Sequence, residues 1–336
     1  MNTPEKPVSS RISDTVQLAL KITFGLLLVG YVLRSRMIDF SALKDVLFSA
    51  DHLAIGFAFL LFSAVCCSLR WYLLASAQGL SLGLSSTFAL NMIGMFFNTF
   101  MPGSVGGDLI KAWYVAGREP QNKTKAVFTV LLDRAIGLSV FFFYAAVTLI
   151  FYSAWLVDHP QLRWLAYGIW GFTLGSALVG GAFFISLTFK IPGSQWVRRQ
   201  IARIGIVHKI FEATMLYRNH LRAVLASLAL SATSIFGMTL LFKILGDALG
   251  IPLALSQYFF VVPIGLTVSA APLLPGGLGV GQVAFYTLFQ WAGLENPEQG
   301  ATLCTLIQIY TILFNCIGAF FYVRFRRSPS PAAVAT

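Results

Sequence analysis

Long runs without charge, separated by short polar stretches, set the organisation of this chain. A helix that crosses a hydrocarbon core needs about 20 predominantly apolar residues. Ala135 to Val157, Trp164 to Phe189, Ala223 to Phe242 and Gln299 to Val323 meet that length, and Val16 to Leu33 with Leu53 to Leu69 complete a set of six. The first contains Lys21, whose long side chain can snorkel toward the headgroups. Two more charge-free stretches, 71–107 and 248–294, are broken by proline and glycine. In the earlier one, Ser86 to Met101 reads as a helix, but the limb after Gly107 meets Arg118 and Glu119 within about two to three helical turns. That limb is too short to cross, so the chain is expected to turn back as a re-entrant hairpin over about 86–117, its tip at "PGSVGG". Non-helical backbone at membrane depth is tolerated only where protein buries it or a polar cavity receives it.

A second hairpin is expected at about 257–291, on an internal correspondence. "PGSVG" at 102–106 has a counterpart "PGGLG" at 275–279, displaced by 173 residues, and the same displacement carries Leu53 into the span at Ala223 and position 126 to Gln299, where the last span starts. Each half then reads span, loop, span, hairpin, span. An odd number of crossings turns the second half upside down, the inverted-repeat plan common among transporters. Chance recurrence of PGxxG in a Gly-rich membrane chain is the competing reading. The expected fold is therefore all-α and polytopic, with six spans and two re-entrant hairpins in inverted repeat: a first membrane repeat over 1–157, a second over 158–327, and a disordered tail over 328–336.

Composition confirms the membrane class and excludes others. Of 336 residues, 57% are apolar and 11% charged, against about 25% charged in soluble domains. No polar run is long enough for a soluble catalytic domain. The N-terminal apolar run lacks a small-residue cleavage site, so an uncleaved first span is expected. The net charge of +11 follows topology rather than nucleic-acid binding. Basic residues collect on one side, which assigns that side, and both termini, to the cytoplasm: Lys6, Arg11, Arg70, four from Lys111 to Lys125, seven from Lys190 to Arg222 and three from Arg324 to Arg327. The other side has Arg34, Arg36, Lys44, Arg163 and Lys243 among seven acidic residues. The 190–222 connection places Trp196, Ile201, Ile204, Val207 and Phe211 at helical spacing among Arg198, Arg199, Arg203 and Lys209. It reads either as an amphipathic helix on anionic headgroups or as a solvated linker. Cys66, Cys67, Cys304 and Cys316 sit in apolar segments without CxxC spacing and are read as packing residues; no metal site or cofactor is expected.

Charge inside the apolar segments is the candidate chemistry. Asp108 opens the second limb of the first hairpin, either as an N-cap or as part of a binding site next to the backbone amides of Gly106 and Gly107. Lys111 lies on the same helical face. Asp133 and Arg134 are adjacent, point about 100° apart and need separate partners. The natural pairings are Asp133 with Lys111 and Arg134 with Asp108. Arg70 either joins them or, the preferred reading, marks the cytoplasmic interface. Asn91 and Asn98 share a face of the first limb, and the second hairpin offers only Gln282. Such a cluster either recognises a charged headgroup or fixes the hairpin structurally. "GGDLIK" lacks the GK[ST] of a phosphate loop, and no Ser-His-Asp set or other catalytic constellation occurs, so no catalytic residue is expected.

Taken in order, "PGSVGGDLIKAW", "LLDRAIGL" and "PGGLGVGQ" resemble the lysylphosphatidylglycerol synthase transmembrane-region family of flippase-like membrane proteins, over roughly Val16 to Arg327. The resemblance implies a stand-alone member in the cell inner membrane that moves a lipid or lipid-linked headgroup between leaflets without ATP. It carries over Asp108, Lys111, Asp133 and Arg134; with Arg70, Asn98 and Gln282 these are the expected substrate contacts, and the expected hairpin tips are Pro102, Gly103, Gly106, Gly107, Pro275, Gly276, Gly277 and Gly279. The third motif usually continues to a glutamate, where this chain has Gln282. Expected partners are membrane lipids with anionic headgroups and, in the alternative reading, envelope-lipid synthesis enzymes for which the chain is a non-transporting scaffold. Nucleic acid is not an expected partner.

Overall fold

A computed structural model describes residues 38–101, 106–151, 161–188, 217–269 and 279–327. The expected first span, the tip residues Pro102, Gly103, Pro275, Gly276 and Gly277, most of the 190–222 connection and the 328–336 tail lie outside the described residues. Those described form ten α-helices and one 3-10 turn, with no strand among them.

The first is short. α1 (Phe40–Leu47) is capped by Asp39, whose Oδ1 accepts from the amides of Ser41 at 3.0 Å and Ala42 at 3.1 Å. α2 (Ala50–Ala77), α5 (Lys123–Phe151), α7 (Leu221–Ala248) and α10 (Glu298–Arg327) contain the four stretches long and apolar enough to cross a bilayer among the described residues. They hold the expected spans at Leu53, Ala135 (as far as Phe151), Ala223 and Gln299. α6 (Gln161–Thr188) coincides with the expected Trp164 span and has 28 residues, about 42 Å at the helical rise.

Four helices are shorter. α3 (Leu84–Phe100) and α4 (Gly106–Arg118) pack together, as do α8 (Leu255–Ser269) and α9 (Val280–Trp291). At 12 to 17 residues each, they run about 18–26 Å, less than the roughly 30 Å hydrocarbon thickness. Their bounds match the two expected hairpin regions within a few residues.

Packing is organised around α2 lying along α7, with Ser63 Oγ 2.8 Å from Ser234 Oγ across that contact. α3 packs on α10 and α8 on α5; α4 also packs on α5 and α9 on α10. Small residues make these approaches close. A Cβ on Gly107 of α4 would stand 1.8 Å from the carbonyl oxygen of Gly94 on α3, and one on Gly318 of α10 would stand 2.2 Å from the carbonyl of Met92. Such contacts are the usual means of helix association in lipid, where apolar burial drives little. Pro263 inside α8 cannot donate to the carbonyl of Phe259, and the hydroxyl of Thr148 on α5 lies 2.9 Å from that oxygen instead. The proline thus becomes a fixed point of the α5–α8 contact. Large apolar side chains remain exposed along the crossing helices, among them Phe143, Ile150, Leu225 and Phe320, as a lipid-facing surface requires.

Candidate functional site

Two layers of charge meet where α2, α4 and α5 converge. In the inner layer, the Arg70 guanidinium of α2 grips the Asp133 carboxylate of α5 with two parallel bonds, Nε to Oδ1 at 2.6 Å and Nη2 to Oδ2 at 3.1 Å. Its Nη1 donates to Ser231 Oγ on α7 at 2.9 Å. The serine hydroxyl donates its own proton to the Ser227 carbonyl, which leaves its oxygen as the acceptor for arginine. Both ionic side chains are at least nine-tenths buried. Gly137 on α5 makes room for the guanidinium, because a Cβ there would approach Nη1 to 3.1 Å.

In the outer layer, one carboxylate serves two cations. Asp108 Oδ1 lies 3.4 Å from Lys111 Nζ, one helical turn along α4, and its Oδ2 lies 3.7 Å from Arg134 Nε on α5. Lys111 is buried; its ammonium donates to Asn91 Oδ1 on α3 at 3.1 Å and stands 5.2 Å from the Trp71 ring centroid. Its stem fills the space opposite Gly94, where an added Cβ would come within 2.7 Å of Cε. Asn98 links α3 to α4. Its Oδ1 accepts from the Gly107 amide at 2.8 Å, so one limb caps the other limb's helix.

Asp108 and Arg134 are paired as their spacing suggests, and Asp108 also meets Lys111. The expected pairing of Asp133 with Lys111 is corrected, since Arg70 occupies both oxygens of Asp133. Arg70 is likewise no interfacial marker. It lies seven residues before the end of α2, about 10 Å along the axis, and is buried among helices. Gln282 belongs to a separate, uncharged group: Oε1 accepts from the Gly279 amide at 2.7 Å, and Nε2 donates to Gln308 Oε1 at 2.6 Å and Thr305 Oγ1 at 3.2 Å. Gly279 has φ +81°, a left-handed value that explains a glycine at that turn. Sequence reasoning missed Trp71, Ser231, Thr305 and Gln308. The last two belong to a row of polar residues three apart in the last span, Thr302, Thr305, Gln308 and Thr311, a signal that could have found them.

The Arg70–Asp133 pair neutralises itself, whereas Asp108 faces both Lys111 and Arg134. The five side chains together therefore carry one net positive charge. A surface pocket of about 390 Å³ lies elsewhere, between the α7–α8 and α9–α10 loops, with Gln257, Glu295 and Asn296 in its lining.

This is a multi-pass helical membrane protein with an ion-pair cluster buried among its helices. The chain belongs to the lysylphosphatidylglycerol synthase TM region family, whose model matches residues 18–318. A UPF0104 membrane protein of Methanothermobacter thermautotrophicus is 22% identical over 305 residues, covering 82% of this chain and 87% of the relative. A second, UPF0104 membrane protein MJ1595 of Methanocaldococcus jannaschii, is 25% identical over 134 residues, covering 39% of this chain and 38% of its own length.

Proposed function

We propose that this chain is a non-enzymatic lipid translocase of the inner membrane, with both termini cytoplasmic. It moves a lipid or lipid-linked headgroup between leaflets through a polar cavity between two re-entrant hairpins, α3–α4 and α8–α9, without ATP. The observation that carries this reading is the Asp108–Lys111–Arg134 group beside a buried Arg70–Asp133 pair in an otherwise apolar protein. Ionisable residues at membrane depth are expensive to keep and mark ion or substrate pathways by default.

The proposed architecture is six spans in two inverted halves divided near 157. Helix bounds support it: adding 173 to α2, α3, α4 and α5 gives 223–250, 257–273, 279–291 and 296–324, against Leu221–Ala248, Leu255–Ser269, Val280–Trp291 and Glu298–Arg327. Packing supports it as well, because each neighbour pair in one half has its exchanged counterpart: α3 on α10 with α8 on α5, and α4 on α5 with α9 on α10. The central α2–α7 contact is then a helix against its own equivalent.

Reconstitution into liposomes with a panel of labelled lipids tests the function. The wild type is expected to redistribute at least one lipid between leaflets, and Asp108→Asn or Arg134→Gln to slow it about tenfold or more, as for removal of one charge-assisted contact. Absence of redistribution for every lipid under every imposed ion gradient sinks the translocase reading. Undiminished redistribution by both folded variants removes this cluster as the substrate site, whereas cellular function preserved in both without any redistribution in liposomes favours the scaffold reading.

A further inference from the structure

We infer that the pocket between the α7–α8 and α9–α10 loops is a binding site for one uncharged sugar ring, carried free or as a lipid headgroup. The site stands apart from the ion-pair cluster and does not depend on the translocase reading. Its volume is about 390 Å³, and its lining includes the carboxamides of Gln257, Asn296 and Gln299, the carboxylate of Glu295 and the turn glycines Gly250 and Gly293. Ligand pockets run from roughly 300 to 1,000 Å³, so this one suits a single ring rather than a chain of them. The loops join ends of the crossing helices α7 and α10, which puts the pocket at headgroup level rather than in the hydrocarbon.

The chain contains its own comparison. At the displacement of 173 residues, the counterparts of these two loops are the α2–α3 and α4–α5 loops. There Glu119 bridges the two loops, accepting from the Ser81 hydroxyl at 2.6 Å and the Ser81 amide at 3.2 Å. Leu84 and Ala126 stand where the later loops have Gln257 and Gln299. Corresponding helix ends therefore form without these carboxamides, so folding alone does not call for them. The α9–α10 loop is also longer, 292–297 against 119–122, and Glu295 and Asn296 of the pocket lie within it.

The walls are fixed by the backbone. Gly250 and Gly293, at φ +70° and +78°, end α7 and α9 with the same turn, in which the amides of Ile251 and Leu294 return to the Gly246 and Phe289 carbonyls at 2.9 and 3.2 Å. The chemistry of the lining then selects the ligand. Gln257 Oε1 accepts from the Ala254 amide at 2.8 Å, which leaves its Nε2 to donate to a visitor. The Glu295 carboxylate only accepts, while Asn296 and Gln299 each carry both a donor and an acceptor. A visitor must therefore offer donors and acceptors side by side. A phosphodiester brings no donor and is repelled by Glu295; an ammonium brings no acceptor for Gln257. Each hydroxyl of a sugar ring does both, without charge.

Saturation-transfer NMR on the full chain, purified in a detergent without a sugar headgroup, tests this. The probes are methyl glucopyranoside as the neutral ring, ethanolamine as an ammonium, glycerol phosphate as an anion and N-acetylglycinamide as a peptide unit. Transfer is expected to the glucoside in preference to the other three. Gln257→Leu and Gln299→Ala, which copy the residues at 84 and 126, should each weaken glucoside binding about fivefold, as for one neutral hydrogen bond. Glu295→Ala should weaken it about tenfold, as for one charge-assisted contact, and Glu119→Gln in the other loop pair should leave it unchanged. Displacement of the glucoside by glucosyl diacylglycerol in nanodiscs assigns the ring to a lipid headgroup, and failure to displace it assigns free sugar; the ring is the ligand in both cases. No transfer to the glucoside by the folded wild type overturns the inference. So does equal transfer by wild type and all three pocket variants, or stronger transfer to any other probe. Ring binding by a protein that redistributes no lipid would count against translocation and leave this site standing.

Discussion

At the scale of single residues, burial decides what each charge is worth. The Arg70–Asp133 pair is dry and bidentate, so removing one partner strands a charge that water cannot reach. Arg70→Met is expected to cost about 3–5 kcal/mol, while Arg70→Met with Asp133→Leu should recover most of it. Thermal unfolding in detergent measures both, and a double variant no better than the single would show that the pair itself is not the source. Gly107→Ala offers a sharper test of packing. Its new Cβ has no space before the Gly94 carbonyl, so α4 must move off α3, at a cost of about 1–3 kcal/mol. The pairing of Asp108 with Arg134 was one of two candidates the sequence offered, and the same reasoning paired Asp133 with Lys111, which Arg70 displaces. The role of Arg70 was not, because a lone arginine near a span's end looks the same whether it faces headgroups or a carboxylate 63 residues away.

Helices and loops depend on contacts that propensity does not reveal. Pro263 breaks the α8 ladder and leaves the Phe259 carbonyl to the Thr148 hydroxyl of another helix, whose one proton is shared with the Tyr144 carbonyl at 2.7 Å. Thr148→Val, which keeps shape and deletes the donor, is expected to destabilise the fold by about 1–3 kcal/mol, and Thr148→Ser to restore most of it. The α2–α3 and α4–α5 loops are tied by Glu119, whose Oε1 accepts from the Ser81 hydroxyl at 2.6 Å and the Ser81 amide at 3.2 Å. The Ser81 hydroxyl, with that amide behind it, holds the Glu119 carboxyl below its ordinary value of 4.5. A depressed folded value means the tie contributes above pH 4.5 and is lost as pH falls through the folded value. Amide protection at 79–82 and 119–122, taken relative to the intrinsic exchange rate at each pH, should therefore fall on acidification below about pH 4.5, and Ser81→Ala should show the reduced protection already at neutral pH. Unchanged exchange in Ser81→Ala would remove Glu119 as the tie.

For the whole molecule, the proposed halves make a prediction about sidedness. In a background without Cys66, Cys67, Cys304 and Cys316, Glu119→Cys in the α4–α5 loop and Asn296→Cys in the α9–α10 loop should react with a membrane-impermeant thiol reagent from opposite faces. Reaction of both from one face would rule out inversion. The sequence alone determined the helical membrane class, the short helix pairs around the PGxxG stretches and the residues able to carry charge into the bilayer. Hydropathy and helical rise act locally, so run lengths and breaks report them directly. The tertiary structure decided which cation meets which carboxylate, that Ser231 of α7 completes the Arg70 site, and that Arg134 is more exposed than Lys111. Those outcomes depend on how far neighbouring helices approach and rotate, which Gly94, Gly107 and Gly137 set by leaving space that only the packed neighbours define.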